Sequence, residues 1–262
     1  MQTVKFEQQG PIGRIILASP PYNRLDANFA RGLGESVQAA GRSDIRVLLV
    51  SAEGPNFSLG GGTKGVLELD TNGFRTRVTG FNESFRRIEG LRVPTVAAVR
   101  GLAYGGGFEL ALSCDFLVAS QTAIFKCVEA TTGMIPIAGG LQRLCERVGR
   151  ARASRYAMLA EEISATEAME HSIATHLVAD ADLDDQAMAL AEQLAVGPTR
   201  SYAATRTLLK AWSGGGVPLA DAMTLDIAMD LFDTQDCKRG FANTVDAYEQ
   251  DLMPGPMTFN GR

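Results

Sequence analysis

The sequence predicts an α/β protein, on three observations. In the first half, continuous apolar runs suited to buried strands alternate with helical patterns. The units that recur there are strand, strand, helix, rather than a fixed-period sequence repeat. Beyond about residue 139 the character changes to helical period and composition, so the last 120 or so residues read as mostly helix.

Taken in order, TVKFEQQGPIGRIILAS (3–19) reads as two strands turning at Gly10-Pro11, a hairpin signal. NFARGLGESVQAAGR (28–42) is a weak helix, and IRVLLVSAE (45–53) is a buried strand. Residues 54–65 form a glycine-rich loop. GFNESFRRIEGL (80–91) is an amphipathic helix that stops before Pro94, and PTVAAVRG (94–101) is a second buried strand. GGFELALSC (106–114) is a short helix, followed by strands at DFLVAS (115–120) and AIFK (123–126). The later helices fall at 139–149, 150–159, 164–170, 186–195, 201–212 and 219–232, with Gly214-Gly215-Gly216-Val217-Pro218 as a break between the last two.

Composition narrows the function. The chain has 262 residues, 45% hydrophobic and 21% charged, the make-up of a globular protein with a sizeable core. Its net charge is −5 and no basic cluster exceeds two residues, which speaks against nucleic acid. The opening MQTVKFEQQG has no basic segment leading into an apolar core, and no apolar run reaches the roughly 18 residues of a membrane span. The four cysteines (114, 127, 145, 237) are scattered without a C-x-x-C pair, as expected of reduced thiols in a cytoplasmic protein without structural zinc. The two histidines, His171 and His176, are too few for a His-rich metal site, and no G-x-S-x-G accompanies them, so both read as structural.

The candidate chemistry lies in two glycine loops. GGGTKG (60–65) formally fits G-x-G-x-x-G, but it does not turn directly from a strand into a helix, and residue 82 onward looks helical where a second strand should lie. A different role unites it with GLAYGGGFELALSCD (101–115). Each loop can aim backbone N–H groups into a cavity, and two such groups converging on one point form an oxyanion hole for a carbonyl that gains negative charge. Glycine permits the close approach. A carboxyl, Glu109, follows inside the apolar run Leu110-Ala111-Leu112, where burial would raise its pKa and the helix start nearby would lower it.

Over essentially its whole length the sequence resembles the enoyl-CoA hydratase/isomerase superfamily, the crotonases. VPTVAAVRGLAYGGGFELALSCDFLVAS (93–120) is similar to that family's signature segment, and IFKCVEATTGMIPIAGGLQRL (124–144) to its next block. FSLGGGTKG (57–65) stands where the family carries its first oxyanion loop, and DAYEQDLMPGPMTFNGR (246–262) resembles its usual ending. The resemblance implies a crotonase-like spiral of repeated ββα units over residues 1–199, and a C-terminal helical trimerisation region over 200–262. It implies oxyanion donors at Gly61 and Gly106, with Glu109 orienting the water and Glu129 supplying the α-carbon proton. It places the coenzyme A part of the substrate at Arg24, Leu25, Asp26 and Lys64, and at Lys238 and Phe241 of the C-terminal helices, often across a subunit boundary.

The expected activity is hydration of a 2-trans-enoyl-CoA to a 3-hydroxyacyl-CoA by a homotrimer or dimer of trimers. No metal or further cofactor is implied, because coenzyme A belongs to the substrate. A Δ3,Δ2-enoyl-CoA isomerase needs only one glutamate, so the presence of both argues against it. A non-catalytic acyl-CoA- or RNA-binding relative is disfavoured by the same glutamates and by the acidic charge. Four departures from the family's pattern bear on the acyl group more than on the reaction: Gly62 in place of the usual Asp, Val128 where a proline is frequent, Ile137 where a glycine is common, and YNRLD (22–26) in place of the usual Asn-Ala-Leu-type segment.

Overall fold

The computed structural model describes residues 2–62 and 65–261. Its main sheet has six strands. β1 (Val4–Gln9) and β2 (Ile12–Leu17) form the expected antiparallel hairpin. β2 then pairs in parallel with β3 (Val47–Ala52), β3 with β4 (Thr95–Val99), β4 with β6 (Phe116–Ser120), and β6 with β9 (His176–Val178). A parallel sheet needs both faces covered, which explains the nearly unbroken apolar runs of β3 and β4. On one face lie α1 (Ala27–Arg42) and α2 (Thr71–Glu89), through residues such as Phe29, Leu33, Phe85 and Ile88. On the other lies α6 (Leu183–Ala195), whose Leu183, Ala187 and Ala191 meet Val47, Leu49, Val96 and Val118.

A second sheet of three strands stands beside the first: β5 (Leu102–Tyr104), β7 (Ile124–Lys126) and β8 (Glu162–Ser164). The chain alternates between the two sheets. β4 is followed by β5 and then α3 (Gly106–Leu112), and β6 by β7, a 3-10 turn (Glu129–Thr132) and α4 (Gly140–Leu159). The strand–strand–helix unit of the sequence is therefore one turn of a spiral, with its two strands in different sheets. α5 (Ala165–Glu170) packs against β8 and β9 and closes this part of the molecule.

The structure departs from the sequence reading in several places, β5 and the last helix, over residues 235–249, among them. α2 begins at Thr71, nine residues before the expected helix, because Asp70 caps it by accepting the Gly73 N–H at 2.7 Å. The second half carries β8 and β9, so it is not purely helical, and β9 completes the main sheet. The expected helices at 139–149 and 150–159 are nearly continuous as α4, bent where Gly149 leaves the helical region at φ 76°.

The C-terminal region consists of α7 (Thr199–Phe232), broken at Gly216 (φ 66°) just before Pro218, and α8 (Gln235–Glu249). Its attachment to the core is polar. Arg206 pairs with Asp115 at 2.9 Å and donates to the carbonyls of Leu91, Val93, Ile88 and Glu89. Arg46 holds Thr199, Gly197 and the Phe259 carbonyl. Leu225, Met229, Phe232, Val245 and Tyr248 stand exposed on these two helices.

Candidate active site

The two glycine loops are zipped together as an extension of the small sheet. Ser58 donates its N–H to the Leu102 carbonyl (3.1 Å), and its own carbonyl accepts from Tyr104 (2.9 Å). On the outer side, Leu25 donates to the Gly60 carbonyl (2.9 Å) and accepts from Gly62 (3.1 Å). Asn23 ties the same loop from beneath, as its carbonyl takes the Ser58 hydroxyl at 2.7 Å.

Each glycine at this seam has its own reason. A β-carbon on Gly60, which sits at φ +72°, would lie 2.4 Å from the Tyr104 carbonyl oxygen, and one on Gly107 would lie 2.3 Å from that of Ser58. Gly105 has φ +50° and packs on the Glu129 carboxylate. Gly106 is the first residue of α3, so its N–H has no partner within the helix. A β-carbon there would crowd only the Leu25 Cδ2 atom, at 2.9 Å, with Glu109 Oε2 and the Gly60 Cα at 3.9 Å, and one on Gly61 would meet nothing within 4 Å. Neither the Gly61 nor the Gly106 N–H bonds to any described residue. The two backbone donors expected from the sequence thus lie on the two loops of one seam, without a partner among the described residues.

Glu109 is 4% exposed. Its Oε1 atom accepts the N–H groups of Ala138 (2.8 Å) and Gly140 (2.9 Å). Gly140 opens the twenty-residue α4, so the carboxylate sits at that helix's positive end. The sequence reading looked for this field in the helix that carries Glu109. There, however, Glu109 is the fourth residue, and its own N–H is bound to the Gly105 carbonyl. Burial, with the Glu129 charge behind it, pushes Glu109 up to about 7 against the pull of the Gly140 and Ala138 N–H groups.

Glu129 begins the 3-10 turn after β7 and is half-buried. Its Oε2 atom is buried with no hydrogen-bond partner among the described residues, and burial raises its pKa. Cys127, two residues earlier, is also buried, and its thiol is pushed up to about 12 by burial and by the two glutamates. The fold has therefore brought together two carboxyls, both resisting ionisation, beside two free backbone donors.

The expected coenzyme A residues divide. Leu25 and Asp26 lie against the first loop: the Leu25 side chain is buried beside Gly106, and Asp26 caps α1 by accepting from Phe29 at 2.9 Å. Arg24 stacks over the Tyr22 ring, 5.2 Å from its centroid. Lys64 lies outside the described residues. Lys238 and Phe241, on α8, make their contacts with the preceding segment: Lys238 donates to the Asp233 carbonyl, and Phe241 packs edge-on against Phe232. One chain does not unite them with the glutamates through those contacts. A cavity of about 1560 Å³ between α1, α2 and α7 is lined by neither glutamate. Among the described residues no cluster of His, Cys, Asp and Glu could hold a metal ion, and no helix is long and apolar enough to cross a membrane.

The sequence reading gave no role to Ala138, Arg143, Asn82 or Ser58. Arg143 donates to the Ala138 carbonyl at 2.8 Å and forms a two-pronged pair with Glu89. Asn82 donates to the Ile137 carbonyl at 2.9 Å. These contacts run between α2 and α4, and only the glycine pair 139–140 hinted at them.

Known proteins resemble this chain in sequence and in overall fold. A family model described as enoyl-CoA hydratase/isomerase matches residues 7–250. Carnitinyl-CoA dehydratases from Salmonella strains are 32% identical over 81% of this chain and 82% of theirs. The enoyl-CoA hydratase subunit I of Geobacillus kaustophilus superposes with a TM-score of 0.89 at 30% identity, over 99% of this chain and 98% of its own. Pseudomonas aeruginosa DspI does so with 0.88 at 27%, over 98% and 97%.

Proposed function

Since the chain belongs to the enoyl-CoA hydratase/isomerase family, and is thus a crotonase-type enzyme of CoA thioesters, we propose that it hydrates a 2-trans-enoyl-CoA to the 3-hydroxyacyl-CoA. The observation that carries this reading is the meeting of two raised carboxyls, Glu109 and Glu129, with the free N–H groups of Gly61 and Gly106. The thioester carbonyl accepts from both glycines, which stabilise it as the double bond takes on enolate character. A water held between the carboxyls attacks C3.

The division of labour is the one the family resemblance implies, and the surroundings are compatible with it. Burial lifts Glu109 to about 7, and the two N–H groups on its Oε1 hold the carboxylate in place and keep its ionised form accessible near neutral pH, where it orients the water and takes its proton. Glu129, also raised by burial and without a donor on Oε2, delivers a proton to C2. Mutual repulsion keeps one carboxyl protonated while the other is ionised. Elimination of water, the reaction named in the carnitinyl-CoA dehydratases, is the reverse traverse of the same step.

Coenzyme A enters as part of the substrate, and no other cofactor is needed. Arg24, Leu25, Asp26 and Lys64 would take its nucleotide end, with Lys238 and Phe241 contributed from a neighbouring subunit of a homotrimer or dimer of trimers. The exposed apolar residues of α7 and α8 support such an assembly. On this reading residues 1–199 form the catalytic unit and 200–262 the assembly unit. Four free thiols fit a reducing cytoplasm.

The test is turnover of 2-trans-enoyl-CoA thioesters of graded chain length, with the hydrated product identified by mass. Glu109→Gln and Glu129→Gln should each lower the rate by about 10²-fold or more, and the losses should not add in the double variant. Full activity of Glu109→Gln, together with conversion of a 3-enoyl-CoA that depends on Glu129, would establish the isomerase instead.

A further inference from the structure

Glu109 does not hold its own orientation. Both donors to its Oε1 atom come from the turn Ile137–Gly140, which precedes α4. That turn passes through Gly139 at φ +87°, a conformation open to glycine, where a β-carbon would come within 2.2 Å of Arg143 Nη1. It is pinned from outside at two carbonyls: Asn82 of α2 donates to Ile137 (2.9 Å), and Arg143 of α4 donates to Ala138 (2.8 Å). The Arg143 side chain is 12% exposed. Its remaining N–H groups, from Nε and Nη2, grip both carboxylate oxygens of Glu89, the last residue of α2. A planar fork bound to a carboxylate in two places has little rotational freedom, unlike a single ammonium contact.

We propose that the Arg143–Glu89 pair is the positioning device of Glu109: by fixing the Ala138 carbonyl it aims the N–H groups of Ala138 and Gly140 at the carboxylate. Neither residue touches the reacting atoms, so both act through the turn. The chain of contacts runs from α2 through Arg143 to the turn and so to Glu109, joining two helices that the sequence separates by more than fifty residues. This rests on the reading of Glu109 as the residue that orients water. The titratable and charged groups facing Glu109 are Glu129 and Cys127, from β7 and the turn after it, and Arg143 itself. Arg143 is the one cation among them, so its loss removes both an aligned pair of donors and a favourable charge.

The experiment follows the Glu109 carboxyl directly, in full-length protein carrying 13C-labelled glutamate side chains, with its resonance assigned by its loss in Glu109→Gln. In Arg143→Gln the titration midpoint should move upward by roughly one pH unit. With crotonyl-CoA as probe, kcat should fall about tenfold or more while KM changes little, since the lost interaction serves the transition state. If the Gln variant does not fold, Arg143→Lys, which keeps the charge and the stem but lacks the fork, is read by the same criterion, with a smaller upward shift expected. A folded variant whose Glu109 titrates as in the wild type overturns the proposal. A wild type inactive on every enoyl-CoA would instead defeat the hydration reading, and the titration would still decide the positioning role.

Discussion

The Oε1 atom of Glu109 lies 2.9 Å from the backbone nitrogen of Gly140, thirty-one residues further along the chain. This bond makes a carboxylate on one helix the cap of another. It also explains how a nearly inaccessible acid is kept in place, because the start of a helix offers unpaired N–H groups to an anion. The arrangement is a compromise: burial raises the carboxyl to about 7, and the N–H groups keep it from rising further.

That compromise has a consequence for stability. Glu109 has a folded pKa near 7 against the ordinary carboxyl value of 4.5, so the folded state binds the extra proton between those limits. A carboxyl raised on folding imposes no penalty below its unfolded pKa, and its penalty grows as pH rises through the window until it is complete above 7. Glu109→Gln removes that penalty while keeping an acceptor for the two N–H groups. The variant should match the wild type near pH 4.5 and exceed it above pH 7 by up to about 3 kcal/mol. Urea unfolding at both pH values checks this. Equal stability at pH 8 would mean that the carboxylate is better solvated than its burial implies.

The glycines divide into those that hold the seam and those with open space beside them. Gly60→Ala and Gly107→Ala each drive a β-carbon into a backbone carbonyl, which cannot swing aside as a side chain can. Each should cost on the order of 2–4 kcal/mol and separate the two loops. Gly61→Ala places its methyl in open space and should change stability by less than about 0.5 kcal/mol. Thermal melting of the three variants orders them, and a Gly61→Ala protein as unstable as Gly60→Ala would refute this division.

Much of this was legible in the sequence, and the boundary of legibility has a physical basis. The hairpin, β3, β4, β6 and the break at Gly214–Pro218 rest on patterns several residues long, and the structure contains them. β5, β8 and β9 have three residues each, too few to carry a period, and exist because a neighbouring strand completes them, whereas the equally short β7 was legible from the apolar AIF of residues 123–125. The first two turns of α2 were hidden because TNGFRTRV has few apolar residues, yet Asp70 supplies the cap. At the site, the glycines and Glu109 announce themselves by residue type, whereas Glu129 stands out only through the family resemblance. The donors to Glu109 do not, since a backbone N–H is the same on Ala138 as on nearly any other residue. The crowding at Gly106 was expected from a substrate, whereas within the chain it comes from Leu25.

Gly106 offers the sharpest separation of structure from chemistry. It is the first residue of α3, a position where proline is well tolerated because its fixed φ suits the helix and its N–H would have no helical partner. Gly105, which precedes it, lacks the β-carbon that ordinarily clashes with a following ring. Gly106→Pro should therefore fold, losing one donor from the proposed oxyanion hole. Both Pro and Ala bring a β-carbon to within about 2.9 Å of Leu25 Cδ2, the far end of a flexible side chain that can turn away, so Gly106→Ala controls for crowding. The Ala variant should retain measurable hydration of enoyl-CoA. The Pro variant should lose a further 10²–10³-fold in kcat, about 2.7–4 kcal/mol, the scale of a single oxyanion donor. Circular dichroism and sedimentation establish that both are folded and assembled alike. If a folded Gly106→Pro enzyme turned over as fast as Gly106→Ala, the N–H of Gly106 would have no part in the reaction, and the three consecutive glycines would serve only the approach of the two loops.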